Sequence, residues 1–448
     1  MTASFIPPFP RRGPGPVAPW RGFFGERAKT AVYGWSERAF RSGHIKRNVF
    51  GHTVHIPLTA EAVQRVLLDN SANYVKPGLV KRILTPTLGR GLLTADGELW
   101  RSQRKIVSAS FTPPAVDALV PVFANVAEQA ASRWQAGRHD IAAEATNATM
   151  HVISAALFSS DSRLISGEAT RHIAAALESV TEARLQVLIG LPLVPITLRG
   201  LRGKSAQRYL RRVLGEVVRE SLEDGAPDDF TAQMAKALIG QFPREEAIDL
   251  AVDNAITFYV AGHETTANAI GWTLFLLSRL PELQQEAAEE CRGAIAAGVD
   301  SNLPDRLPLL RAILDESMRL YPPAPRFDRE ARQADRLGDH AIEAGDIVSI
   351  WPWLIHRHEA LWDRPDEFDH SRFLGDARKA LHRFQYIPFG GGPRTCVGAR
   401  FAMAEALTIL AHWLAAWRFL PAPGHEVAVS GMVTLRPKGG LPLMLDRR

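Results

Sequence analysis

Apolar residues recur every three or four positions along most of this chain, the period of helices that bury one face. Ala, Leu and Val keep that spacing through 115–136, 140–158 and 168–189. A longer run, 243–279, predicts a long helix. Charged, amphipathic helices are expected over 281–297 and over 310–320, where Tyr321-Pro322-Pro323 stops the second one. Period-two alternation is weaker. It predicts a hairpin over 44–58 turning at Gly51, strand and turn over 338–353, and short strands from 417 to 447. Thr59 is expected to cap a helix running to about Leu68, and Asp96 to open another. Residues 72–95, rich in Gly, Pro and Thr, read as irregular, and so does the meander over 360–386. The fold class expected is mainly α with a smaller β-rich subregion.

The 448 residues are enough for a large core. A net charge of +5 and the lack of zinc-finger spacing or a basic arm give no sign of a nucleic-acid partner. Two cysteines argue against a disulfide framework and for a reducing compartment. The first sixteen residues are proline-rich without a continuous apolar run, which argues against a signal peptide or an N-terminal anchor. Hydropathy alone flags 255–277 as a membrane span, but His263, Glu264, Thr265, Thr266 and Asn268 in mid-run argue for a protein interior. The apolar stretch 187–196, followed by Arg199, Arg202 and Lys204, suits either a buried connection or a greasy entrance near a membrane surface.

Chemistry concentrates at Phe389-Gly390-Gly391-Gly392-Pro393-Arg394-Thr395-Cys396-Val397-Gly398. Three glycines and a proline shape a loop, and a good helix former follows at once. A sulfur where a loop enters a helix N-terminus, with Arg394 beside it, is expected to favour the thiolate. Such a cysteine acts as a nucleophile or binds a metal. The alternative, a buried structural thiol, is the common fate of Cys and is how Cys291 reads.

This decapeptide resembles the haem-binding loop of the cytochrome P450 family, Phe-x-x-Gly-x-Arg-x-Cys-x-Gly. Phe389, Gly392, Arg394, Cys396 and Gly398 fill its defined places. The resemblance makes Cys396 the axial thiolate of haem iron, a ligand that favours O–O cleavage, and the cofactor haem b (iron protoporphyrin IX). Ala261-Gly262-His263-Glu264-Thr265-Thr266 resembles the family's oxygen-activation motif. It implies Glu264 as the acid relaying protons and Thr265 as the alcohol holding oxygen or water, with Ala261 beside the haem and His263 a structural hydrogen-bonder. Small residues at 261 and 262 are read as letting something approach the helix backbone. Trp100 and Arg104, four apart on one helix face, resemble haem-propionate contacts, and Arg329 matches a third. Glu316 and Arg319 resemble the family's Glu-x-x-Arg pair, completed by Arg372, which holds the cysteine loop in place. Phe258, Ala261, Phe327 and Met432 are the apolar pocket candidates.

With motifs in family order along nearly the whole chain, the expectation is one haem domain over 1–448, an extended lead-in at 1–43 and no fused reductase. The reaction implied inserts one atom of O2 into a C–H bond of a hydrophobic fatty acid, terpenoid or aromatic. Electrons come from a separate ferredoxin or flavodoxin with its reductase, docking near Arg378, Lys379, His382, Arg383, Arg394 and Arg400. The location expected is cytoplasmic. Rival readings are a peroxygenase, which the acid–alcohol pair argues against; a biosynthetic oxidase that couples or tailors a natural product; a non-catalytic haem-thiolate sensor or carrier; and a cysteine hydrolase, for which no local motif picks out a partner histidine.

Overall fold

The computed structural model describes residues 5–15, 30–49, 51–188, 193–194, 197–431 and 433–448. Met432 and most of the 187–196 linker lie outside them, so the pocket and entrance readings there stand untested. Among the described residues the helices of ten residues or more are α1 (Gly78–Leu88), α2 (Gly97–Ser108), α3 (Val120–Ser132), α4 (Ile141–Leu157), α5 (Gly167–Leu188), α6 (Leu198–Glu220), α7 (Phe230–Ile239), α8 (Arg244–Ser278), α9 (Pro281–Ala296), α10 (Pro308–Leu320) and α11 (Ala399–Ala416). Helix α8 is the axle. It is buried on nearly every side, as its apolar pattern requires, and α4, α6, α7, α10 and α11 all pack on it. Helices α5 and α6 lie against each other. No single described helix is long and apolar enough to cross a membrane.

The strands form a separate, smaller layer. β1 (His44–Val49) and β2 (His52–Pro57) make the expected hairpin, with Gly51 at φ +84°. They lead a five-stranded sheet ordered β1-β2-β8-β5-β3, where β3 is Tyr74–Val75, β5 is Phe327–Ala331 and β8 is Ile347–Ile350. The β2–β8 pair is parallel, with Val54 opposite Ile347. Strand β4 (Gly137–Asp140) joins β12 (Pro442–Arg447) and β9 (Trp417–Pro421). Strands β6 (Asp335–Leu337) and β7 (His340–Ile342) form a small hairpin, as do β10 (Val429–Ser430) and β11 (Arg436–Pro437).

Two local expectations are corrected. Residues 78–88 are helical although they contain Pro86. Packing against α5 and α8, with Gln207 of α6 donating to the Thr87 hydroxyl, outweighs poor propensity. Thr59 does cap a helix, its hydroxyl accepting from Ala62 N–H at 3.3 Å, but that helix widens into a π turn over Arg65–Asp69.

Candidate functional site

The cysteine loop is built to a tight tolerance. Gly390 and Gly392 take φ of +70° and +67°. A Cβ on Gly392 would lie 1.7 Å from the Leu67 carbonyl oxygen of the π turn, so only glycine fits. Cys396 N–H donates to Phe389 O at 2.9 Å, closing the loop on itself, and α11 starts three residues later. The Cys396 side chain is accessible, with protein packed around the loop that carries it. Burial pushes its thiol pKa up, while Gly398 N–H and Arg104 pull it down. The low pKa expected from the loop and helix end is therefore corrected: desolvation outweighs the helix end and Arg104.

Helix α2 grips the loop from one side. Arg104 donates to Thr395 O at 2.9 Å, and Trp100 lies under Arg394, whose guanidinium carbon is 4.4 Å from the ring centroid. Arg394 also pairs with Asp96, and Asp96 with Lys81. Arg329 on β5 sits nearby. It donates to Asp328 O at 3.0 Å and has no ion pair among the described residues, and burial beside Arg394 lowers it to about 10. Lys76, which the sequence reading missed, donates to Leu93 O and is held down to about 7 by burial and by Arg329 and Arg394. Cations thus outnumber carboxylates here. That surplus suits a group bringing two carboxylates into the interior, as haem would.

The relay motif lies midway along α8. Ala261 is accessible within a largely buried stretch. Thr265 Oγ1 donates to Ala261 O at 2.9 Å and Thr266 Oγ1 to Gly262 O at 3.3 Å, the back-bonding expected of helical threonines. A Cβ on Gly262 would lie 2.7 Å from Ile153 Cδ1. What approaches the helix at Gly262 is therefore α4. His263 is buried and Nδ1 bonds Tyr259 O, while the Thr149 hydroxyl donates to His263 O, so its structural reading fits. Burial keeps His263 low. Glu264 is 13% exposed in its side chain and its Oε1 lies 3.8 Å from Arg436 Nη1. Beside Thr266, Glu405 of α11 is fully buried, and burial raises its pKa far above the usual range while the Thr266 hydroxyl pulls it the other way. No spacing rule in the sequence singled it out.

Glu316 and Arg319 form a fully buried bidentate pair at 2.6 and 2.7 Å. Arg319 further donates to the carbonyls of His356, Pro365 and Glu367, and His356 Nε2 accepts from Ile387 N–H beside the loop. Arg372 comes within 3.7 Å of Glu316 but makes no hydrogen bond to it; its guanidinium donates to Arg364 O, and Asp369 N–H fills the place beside Glu316. The triad is thus a pair supported by backbone, with Arg372 adding charge. Phe258 is buried among Phe111 and Phe230, and Phe327 is half-buried beside Gly390.

On the other side of the loop, a cleft of about 400 Å3 is lined by Phe389, Arg383, Arg311, Met403 and Leu407 among others. Several cations of the expected docking cluster are already spent. Arg378 pairs with Asp315, Lys379 with Asp376 and Arg400 with Asp117, and Arg394 is interior. Arg383, and Arg311, which the sequence reading did not single out, have no ion pair among the described residues.

The family model described as Cytochrome P450 matches residues 18–441. Cyclooctatin synthase of Streptomyces melanosporofaciens is 32% identical over 84% of this chain and 82% of its own length. Cytochrome P450 714C3 of Oryza sativa subsp. japonica is 32% identical over 83% and 75%. Leukotriene-B4 omega-hydroxylase 3 of Mus musculus is 30% identical over 86% and 79%.

Proposed function

The chain belongs to the cytochrome P450 family, and from that membership we propose which of its residues run the monooxygenase reaction and on what. As an oxidoreductase of this family it uses haem iron, O2, a hydrophobic substrate and electrons from a redox partner. When bound, haem supplies O2 binding and O–O cleavage. In our reading the group is haem b and the chain one haem domain over 1–448. Cys396 is the iron ligand. Lys76, Trp100, Arg104, Arg329 and Arg394 hold the propionates. Phe389 and Gly398 shield the sulfur, and Glu316, Arg319 and Arg372 steady the loop.

Midway along α8, Thr265 donates its hydroxyl hydrogen bond to Ala261 O, so its free lone pairs would accept from a proton-bearing oxygen. Glu264, one residue earlier and half-buried, takes protons from solvent and passes them to that oxygen. Phe258, Ala261, Phe327 and Met432 exclude water and seat an apolar substrate. Relatives are named for carotene and for leukotriene B4, and another as a cyclooctatin synthase. These names favour hydroxylation of a terpenoid or a fatty acid, including a tailoring step in natural-product synthesis. The partner proposed is a ferredoxin or flavodoxin with its reductase, and the location cytoplasmic.

The observation that carries this reading is the glycine loop presenting Cys396 opposite a surplus of buried cations. The test is the dithionite-reduced carbon monoxide spectrum of the purified protein. A strongly red-shifted Soret band that disappears in Cys396→Ala is expected. An unchanged band in that variant would sink the ligand assignment.

A further inference from the structure

Helix α11 carries a line of buried polar residues that the reaction scheme leaves unused. Glu405, Thr408 and His412 fall at i, i+3 and i+7, so they share one face of the helix. Thr146, Thr149, Thr265 and Thr273 each return their hydroxyl to the preceding helical turn. Thr408 does not: it is fully buried, and its Oγ1 has no protein partner among the described residues. His412 Nε2 is buried without a partner as well. Buried polar atoms seldom stay so, and internal water commonly supplies the missing bond.

The line has an inner and an outer end. At the inner end Glu405 meets the hydroxyl of Thr266 on α8, one residue past Thr265. At the outer end His412 Nδ1 lies 3.3 Å from Glu128 Oε1 of α3, and the Glu128 side chain is 62% exposed. Successive members are separated by about 4.5 Å and 6 Å along the helix axis, gaps that a single water bridges. Burial lifts the Glu405 carboxyl far above its usual range, against the Thr266 hydroxyl, and pushes His412 down, against the pull of Glu128. The line thus joins a neutral acid to a neutral imidazole and strands no charge in the interior.

We propose that this face of α11 is a proton inlet, a file of waters running from Glu128 at the surface past His412 and Thr408 to Glu405. A proton enters the outermost water from a solvent acid, moves along the file, and replaces the one that Glu405 gives to an oxygen beside α8. Glu405 ends each passage neutral, as it began. His412 and Thr408 are positioning residues that hold the waters and keep their own protons. The use of that proton rests on the monooxygenase reading; the path itself does not.

The experiment follows the carbonyl stretch of the protonated Glu405 carboxyl by infrared spectroscopy as the haem-loaded protein is mixed into D2O. Glu405→Gln identifies the band by removing it. The carbon monoxide spectrum and thermal unfolding first show that the variants are loaded and folded like wild type. The inlet predicts that the wild-type band shifts within the mixing time, and that Thr408→Val and His412→Phe exchange about tenfold or more slowly. Thr408→Ser, which keeps the hydroxyl, is expected to exchange like wild type. Equal rates in Thr408→Val and wild type would overturn the inlet, and so would a band that Glu405→Gln leaves in place. Loss of the red-shifted carbon monoxide band from wild type would sink the haem-thiolate reading instead, with the infrared exchange still deciding the path.

Discussion

Thr265 shows what a single hydroxyl can do once its proton is committed. With its hydrogen bond given to Ala261 O, its oxygen is left as an acceptor. Thr265→Ala is expected to keep haem and the red-shifted carbon monoxide band while coupling falls several-fold, with the lost electrons recovered as peroxide by direct assay. Full coupling in that variant would count against its role. Glu405 makes a different point. Burial raises its folded pKa well above the unfolded value near 4.5, only partly offset by the Thr266 hydroxyl. The folded state therefore keeps a proton that the unfolded state releases above that pH. Its contribution is fully present below pH 4.5 and is lost as pH rises towards the folded pKa, by up to about 1.4 kcal/mol per unit. Glu405→Gln removes this slope, so denaturant unfolding at several pH values is expected to give a flatter profile on the alkaline side than wild type.

At the scale of elements, α10 and the meander are joined by a small apolar cluster, Ala312 with Trp362 and Phe373, and by buried charge. The Glu316–Arg319 pair is completely buried, and Arg319 reaches three carbonyls of the segment leading to the cysteine loop. Removing one partner leaves an uncompensated charge, which costs about 3–5 kcal/mol. Glu316→Ala is expected to lower thermal stability by that amount and to weaken haem retention on gel filtration. Unchanged stability would mean the pair has little structural weight. The pair was readable at helical i,i+3 spacing, since both partners lie on one helix. Its burial and its carbonyl partners were not, because they come from a segment of the chain without regular periodicity. Helix α1 escaped for the opposite reason: its sequence is weakly helical, and contacts with α5, α6 and α8 supply the stabilisation.

For the whole molecule, charge near the cysteine loop is divided between two surfaces. Inside, Lys76, Arg329 and Arg394 crowd together under burial. Outside, Arg378, Lys379 and Arg400 are paired with carboxylates, whereas Arg311 and Arg383 at the cleft have no ion pair among the described residues. Reversing both, Arg311→Glu with Arg383→Glu, is expected to slow reduction by an acidic ferredoxin at least tenfold at low ionic strength. The two proteins should converge at high salt as screening removes the attraction. Equal rates at low salt would move docking elsewhere.

Local placement was legible from sequence alone: the glycine loop that leads Cys396 into a helix, Glu264 and Thr265 on one helix, the Trp100–Arg104 face, the Glu316–Arg319 pair and the mainly helical class. Each is encoded within one turn or one helix, where a few residues at fixed spacing determine the geometry. Tertiary structure alone decided the rest. It set Arg436 against Glu264, gathered Lys76 with Arg329 and Arg394, placed Ile153 over Gly262, and left Glu405 buried beside Thr266. Those juxtapositions join segments far apart in the chain. They arise from how helices pack and what burial does to charge, and no local spacing carries that information.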